Sequence, residues 1–389
     1  MTTTTTIPGI GTGQGANPLK GLLTYGQSPW MDYIRRDLLT SGQLKKYIDN
    51  DGLRGMTSNP AIFEKAITGS NLYADIMASP EAKKLNANGL FEKIAFRDVQ
   101  DACDIFKGVY TESKRRDGYV SLEVSPFLGF DTQASLSEAR RLWKAVDRPN
   151  VMIKIPGTPE GLPAIRQALE DGININITLL FAQSAYEKVA EAFLSALEAR
   201  AAKGLDISHI ASVASFFVSR IDTLVDSTLD EKLKTTSDAG QKALFESIRG
   251  KVAIANARLT YKKYQELFGG PRWKALAAKG AQTQRLLWAS TSTKNPKYRD
   301  VVYVEELIGA DTVDTIPPAT FDAFREHGKL RPSLTENVDA AAKTMADLAK
   351  AGISMKEVTD KLMIDGVKLF ADAFKTLLDA VGKNAGVRA

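Results

Sequence analysis

Apolar and polar positions alternate with a period of two in several short stretches of this chain, and each stretch gives way to a longer one with helical spacing. In Val151-Met152-Ile153-Lys154-Ile155 the aliphatic Val151, Ile153 and Ile155 fall on one face and Met152 and Lys154 on the other. Pro156, Gly157 and Pro159 end that strand, and Thr158 is placed to cap a helix running to the turn at Asp171-Gly172. Tyr119 to Ser125 sets Val120, Leu122 and Val124 against Ser121, Glu123 and Ser125. Ile173 to Thr178 is stricter, with isoleucine on one face and Asn174, Asn176 and Thr178 on the other.

Taken along the chain, the pattern predicts strands near 28–33, 53–58, 119–125, 151–155, 173–178, 210–215, 285–290 and 312–316. Helical stretches fall at about 35–50, 62–77, 91–115, 135–146, 182–201, 218–233 and 243–268, with two more at 335–351 and 355–381. Eight strands, nearly all separated by helices, are the pattern of a (β/α)8 or TIM barrel in the α/β class, with additional helices at the C-terminus. A doubly wound open sheet is the second choice. Residues 1 to about 20, rich in Thr and Gly, are expected to form a loose leader. Residues 21–389 are expected to form one barrel domain, with a helical extension from about 330. The Gly9-x-Gly11-x-Gly13-x-Gly15 run has no strand before it, which discounts it as a dinucleotide site.

The polar faces are what point to chemistry. Strands of a parallel barrel are covered on both sides and usually read as unbroken apolar runs. Here Glu123, Lys154 and Asn174/Asn176/Thr178 interrupt three of them on the face opposite the aliphatic residues, which in a barrel is the inner one. A buried polar group without a partner costs about 1–3 kcal/mol, so these groups are expected to partner one another and a ligand. Ligands bind at the carboxyl ends of such strands. An ammonium placed there among apolar groups gives up its proton more readily than in water, and the amine can attack a carbonyl. The plainer alternative is an exposed lysine on an edge strand or rim.

Composition narrows the classes. The chain has 389 residues, a net charge of +5, a single cysteine (Cys103) and two histidines (His209 and His327). A Cys/His zinc site or a multi-histidine metal centre cannot be assembled from so few ligands within one chain. Neither histidine sits in a nucleophile context. His209 reads as a strand-flanking residue and His327 as a cation at a helix end. One cysteine allows no intrachain disulfide, which suits a reducing cytoplasm. No apolar run approaches the 20 residues of a membrane span. The basic excess is spread along the chain, compatible with anionic small substrates and giving no reason to invoke nucleic acid.

Five motifs in register carry a resemblance. Thr57-Ser58-Asn59-Pro60, Ser121-Leu122-Glu123-Val124, Ile153-Lys154-Ile155-Pro156, Asn176-Ile177-Thr178-Leu179-Leu180-Phe181 and Ser215-Phe216-Phe217-Val218-Ser219-Arg220-Ile221-Asp222 together resemble the transaldolases, from about Gly21 to His327. The chain looks like the bacterial branch of that family with a longer C-terminal part. The resemblance implies a Schiff-base barrel enzyme with no metal and no organic cofactor. It would act on sugar phosphates as a monomer or homodimer, moving a dihydroxyacetone unit between them.

The same resemblance implies roles. Lys154 matches the imine-forming amine and Asp32 the carboxylate that shuttles the proton of the C4 hydroxyl. Glu123 and Thr178 match the pair that positions water. Asn59, Asn176 and Ser215 match residues that hold substrate hydroxyls, and Arg220 matches a phosphate-binding arginine. Fructose 6-phosphate aldolases of the same superfamily, the near alternative, tend to carry Gln and Tyr where this chain has Glu123 and Phe217. A non-catalytic sugar-phosphate binding protein on a retained barrel is the more distant one. The chain departs from many relatives after the seventh strand, where a second phosphate-binding arginine is expected. Ser290-Thr291-Ser292-Thr293-Lys294 offers Ser290, Ser292 and a lysine instead, and a lysine gives a point charge in place of the bidentate fork.

Overall fold

Eight parallel strands close on themselves in sequence order, each hydrogen-bonded to its neighbours and the last to the first. They are β1 (Gln27–Asp32), β2 (Gly55–Thr57), β3 (Tyr119–Glu123), β4 (Val151–Pro156), β5 (Ile175–Leu180), β6 (Ser212–Phe217), β7 (Arg285–Ala289) and β8 (Thr312–Ile316). The computed structural model describes residues 17–387. The fold is therefore the (β/α)8 barrel, and the open sheet is set aside. The glycine run lies outside the described residues, as does the expected leader except for its last four residues. There Asn17 caps the helix Pro18–Gly21, and Leu19 is buried.

The aliphatic strand faces are buried beneath the outer helices, with Ile153, Ile155, Ile175 and Ile177 fully covered. The barrel interior is tightly filled. A Cβ on Gly55 would come within 2.5 Å of the Trp30 indole, so glycine is needed where β2 passes that ring. At the amino-terminal end Arg285 closes the interior, donating to Ser28 at 2.7 Å and pairing with Asp117 at 2.8 Å. That end reads as stability, leaving the carboxyl end for chemistry.

Several helices are shorter than the periodicity predicts. The 35–50 stretch is two helices, Arg36–Thr40 and Gln43–Asp51, parted at Gly42 in the left-handed region. The 62–77 stretch divides into Pro60–Thr68 and Ala74–Met77. The 243–268 stretch is likewise two, Ala239–Ile248 and Val252–Gly269, with left-handed Gly250 between them. In each of these two-glycine cases an apolar stripe continues across a break that only the backbone records.

The last helix, Met355–Ala385, is 31 residues long. Ser354 caps it, and Lys361–Asp365, Lys368–Asp372 and Lys375–Asp379 pairs line its solvated side. Its other face buries Leu362, Gly366, Val367, Phe370, Phe374 and Leu377. That face packs on the Pro60–Thr68, Ala87–Glu112 and Ser219–Thr235 helices, on the turn after β3 and on the end of β5. These partners follow different strands, so the helix lies across the carboxyl end of the barrel.

Candidate active site

Register brings the predicted residues together. Glu123 on β3 is directly opposite Lys154 on β4, Lys154 is opposite Asn176 on β5, and Asp32 on β1 is opposite Thr57 on β2. Lys154 is 4% exposed, so the rim reading fails. Its Nζ lies 3.2 Å from Glu123 Oε2 and donates to the Ser58 carbonyl at 3.2 Å. The contact with Glu123 is an ion pair not aligned as a hydrogen bond, and both carboxylate oxygens are buried without a hydrogen-bond partner among the described residues. Burial pushes the Glu123 carboxyl above its usual range, against the pull of Lys154. Thr178 Oγ1 is also buried and unpartnered. Groups left in this condition are costly unless a ligand or water completes them.

Lys154 opens on a cavity of about 430 Å³ lined also by Asp32, Asn59, Thr178, Ser215, Phe217, Arg220, Ser290, Ser292 and Lys294. Asp32 Oδ1 accepts from Thr57 Oγ1 at 2.7 Å. The single Thr57 hydroxyl proton is thus engaged, and Thr315 is the donor in the 2.6 Å contact between the two threonines. Burial raises the Asp32 carboxyl above its usual range, opposed by Lys154, the Thr57 hydrogen bond, Lys294 and Arg220. A carboxylate in that condition is a stronger base than one in water.

Several of the predicted residues sit differently from the rest. Asn176 is not among those lining the cavity. Its Nδ2 donates to Ser121 Oγ at 2.9 Å and its Oδ1 accepts from Ser215 Oγ at 2.6 Å, so the amide fixes the Ser215 hydroxyl that does reach the cavity. Asn59 caps the Pro60–Thr68 helix, its Oδ1 accepting from Ile62 N at 3.0 Å, which leaves its amide nitrogen for a ligand. Glu123 likewise lines a smaller cavity that shares Asn59 with the first. Asn174, read as part of the polar face, precedes β5 and holds the Pro149 and Val151 carbonyls and the Ala211 amide. Its role is structural.

The cations gather at one side. Arg220 makes no hydrogen bond or ion pair among the described residues, and its guanidinium carbon lies 5.4 Å from the Phe217 ring centroid and 6.0 Å from that of Phe370. Burial lowers its proton affinity, with Asp32 opposing. Lys294 is exposed, its Nζ donating to Ser292 Oγ at 2.6 Å, and partial desolvation together with Arg220 lowers its pKa. Ser290 adopts a left-handed backbone, and its hydroxyl meets that of Ser219 at 3.0 Å. His209 and His327 are surface residues paired with Asp206 and Asp300, each at 3.0 Å.

Among the lining residues that sequence reasoning missed are Lys65 and Phe370. Lys65, exposed and unpaired among the described residues, adds a third cation. Its signal was available, since it lies on the helix that Asn59 caps. Phe370 arrives on the last helix, 5.6 Å from Lys154 Nζ, and nothing in its neighbourhood distinguishes it from a core phenylalanine.

Residues 29–381 match the model of the family described as "Transaldolase/Fructose-6-phosphate aldolase". A "Transaldolase" of Trichodesmium erythraeum is 49% identical over 94% of this chain and 97% of the relative. A "Transaldolase 2" of Nostoc sp. is 47% identical over 94% of this chain and 97% of its own length. A "Transaldolase" of Thiobacillus denitrificans is 44% identical over 94% of this chain and 100% of its own. With a buried lysine–carboxylate pair at the mouth of an eight-stranded barrel and similarity over almost its whole length, the chain belongs to the transaldolase/fructose-6-phosphate aldolase family.

Proposed function

We propose that this chain is a transaldolase of the non-oxidative pentose phosphate pathway. It moves a dihydroxyacetone unit from sedoheptulose 7-phosphate to glyceraldehyde 3-phosphate, giving erythrose 4-phosphate and fructose 6-phosphate. The observation that carries this reading is the buried Lys154 amine, 3.2 Å from Glu123, opening on a cavity with Asp32 and an unpaired Arg220 in its lining.

The residues divide the reaction as follows. Glu123 accepts a proton from Lys154, and the free amine attacks the ketose C2 carbonyl. Glu123, with the Thr178 hydroxyl, then protonates the departing oxygen, which leaves as water and gives the protonated imine. That imine draws electrons from the C3–C4 bond while Asp32 takes the C4 hydroxyl proton. The bond breaks, the aldose phosphate leaves, and the three-carbon unit stays on Lys154 as an enamine. The enamine adds to the carbonyl of the incoming aldehyde, Asp32 returns its proton, and water re-enters to release the new ketose. The Asn59 amide and the Ser215 hydroxyl are placed to hold substrate hydroxyls. Arg220 holds the remote phosphate, with Lys294, Ser290 and Ser292 beside it. None of these steps uses a metal or an organic cofactor.

Glu123 and Phe217 favour transfer over the free-dihydroxyacetone release of the aldolases. The compartment we assign is the cytoplasm, and the buried Cys103 thiol fits it. Among the described residues, no helix is long and apolar enough to cross a membrane. A coupled assay tests the reading. Transfer yields one erythrose 4-phosphate for each fructose 6-phosphate, an aldolase yields free dihydroxyacetone, and a binding protein yields neither.

A further inference from the structure

One side chain touches both ends of the reaction. The Phe370 ring is 5.6 Å from the Lys154 amine and 6.0 Å from the Arg220 guanidinium carbon, each within the range of a cation–π contact. The ring is 4% exposed and lines the substrate cavity. Arg220 is half-buried and has aromatic faces, Phe217 and Phe370, where an arginine withdrawn from solvent ordinarily has a carboxylate. An aromatic face orients a guanidinium without consuming its N–H donors, so all of them remain for a phosphate dianion.

The helix that carries Phe370 is seated by contacts of its own. A Cβ on Gly366 would meet Leu179 at 2.8 Å, so the helix approaches as closely as glycine permits. Leu179 sits with φ at 61° in a bulge of β5, immediately after Thr178. One turn beyond Phe370, Phe374 packs edge-on against Phe91 at 5.4 Å and tilted against Phe127 at 5.7 Å. Phe370 is therefore held at both sides along its helix.

We propose that Phe370 is a positioning residue that fixes the Lys154 amine and the Arg220 guanidinium relative to each other, and so sets the span between carbonyl and phosphate that the enzyme accepts in a ketose. The inference rests on the transaldolase reading above. Removing the π face frees Arg220 more than Lys154, because Lys154 keeps Glu123 and the Ser58 carbonyl whereas Arg220, among the described residues, keeps the Phe217 face alone. The loss then falls on phosphate recognition.

The experiment compares Phe370→Leu, Phe370→Tyr and Phe374→Leu in the full-length enzyme, measuring kcat and KM for fructose 6-phosphate and for fructose, and the melting temperature. In Phe370→Leu the efficiency with fructose 6-phosphate falls about tenfold, mostly through KM, and the preference over fructose falls with it, as expected for a partly desolvated cation–π contact. Phe370→Tyr keeps the face and stays within about twofold of wild type. Phe374→Leu loosens the same helix without touching either cation, so it lowers the melting temperature but keeps the preference. An unchanged preference in Phe370→Leu overturns the inference, and so does an equal loss in Phe374→Leu, which would mean that helix docking alone matters. A wild-type enzyme without transfer activity would remove the transaldolase reading and this inference together. An active wild type with an indifferent Phe370→Leu removes this inference alone.

Discussion

Lys154 Nζ and Glu123 Oε2 lie 3.2 Å apart on adjacent strands that place the two residues directly opposite each other. Both side chains are largely withdrawn from solvent, 6% and 3% exposed, and among the described residues the carboxylate has no aligned hydrogen bond. A pair of this kind is a poor source of stability, because desolvation offsets much of the attraction. It is a good arrangement for passing a proton.

Glu123→Gln keeps the shape of the pair and removes the base. Turnover should fall by roughly 10²–10⁴, the usual range for acid–base assistance. The Michaelis constant should change little, because Glu123 is not among the residues lining the substrate cavity. Steady-state kinetics of the variant decide this, and turnover within twofold of wild type would make Glu123 a spectator.

The Thr57 hydroxyl favours ionised Asp32 through its 2.7 Å hydrogen bond. Thr57→Val removes that donor, so the Asp32 pKa should rise further. Asp32 acts as a base only when ionised, and the acid limb of the kcat/KM profile should therefore move to higher pH. Thr315→Val, which leaves the Thr57–Asp32 bond in place, should move it less. Identical shifts in the two variants, or none, would separate Asp32 from the acid limb.

The cations at the cavity should not be equal. Arg220 has free donors in a planar fork among the described residues, whereas Lys294 and Lys65 are both exposed and Lys294 is turned onto Ser292. Arg220→Ala should raise the Michaelis constant for fructose 6-phosphate by about 10- to 100-fold, the scale of a lost charged hydrogen-bond pair. Lys294→Ala and Lys65→Ala should each cost less than about tenfold and lower the preference for fructose 6-phosphate over fructose. A preference unmoved in Lys294→Ala would assign the second phosphate contact to Ser290, Ser292 or a backbone amide.

Much of this was legible because the barrel imposes a simple rule on its strands. Aliphatic residues must face the helices, so Glu123, Lys154 and Thr178 stood out as polar groups turned inward. The bulge at Leu179 was not legible, because its left-handed backbone breaks the strict alternation in a way that side-chain types do not announce. Nor was the bridging role of Asn176, since alternation gives the face of a side chain but not the partner it spends its amide on. The helix breaks at Gly42 and Gly250 were hidden by apolar stripes that carry across them. Phe370 was hidden for another reason. Its contact with Lys154 depends on how the final helix docks across the barrel, and no local period encodes that.

Asp314, on β8, is fully buried, and neither carboxylate oxygen has a partner among the described residues. Thr291 Oγ1 donates to the Thr315 carbonyl instead, at 3.2 Å. Burial pushes the Asp314 pKa up to about 8. From about pH 4 to that value the folded chain holds a proton that the unfolded chain has released, so stability falls as pH rises, by at most about 1.4 kcal/mol per pH unit. Asp314→Asn imitates the protonated form, and its advantage in melting temperature over wild type should be small at pH 5, grow to about pH 8 and level off above it. Parallel melting curves across that range would mean that Asp314 is paired in solution.

The most direct test of the account is chemical trapping of the imine. The enzyme is incubated with fructose 6-phosphate, reduced with borohydride, digested, and mapped by mass spectrometry. The account predicts a reduced three-carbon adduct on Lys154 and none in Lys154→Ala, which should be inactive. An adduct on another lysine, or transfer activity that survives Lys154→Ala, would contradict it.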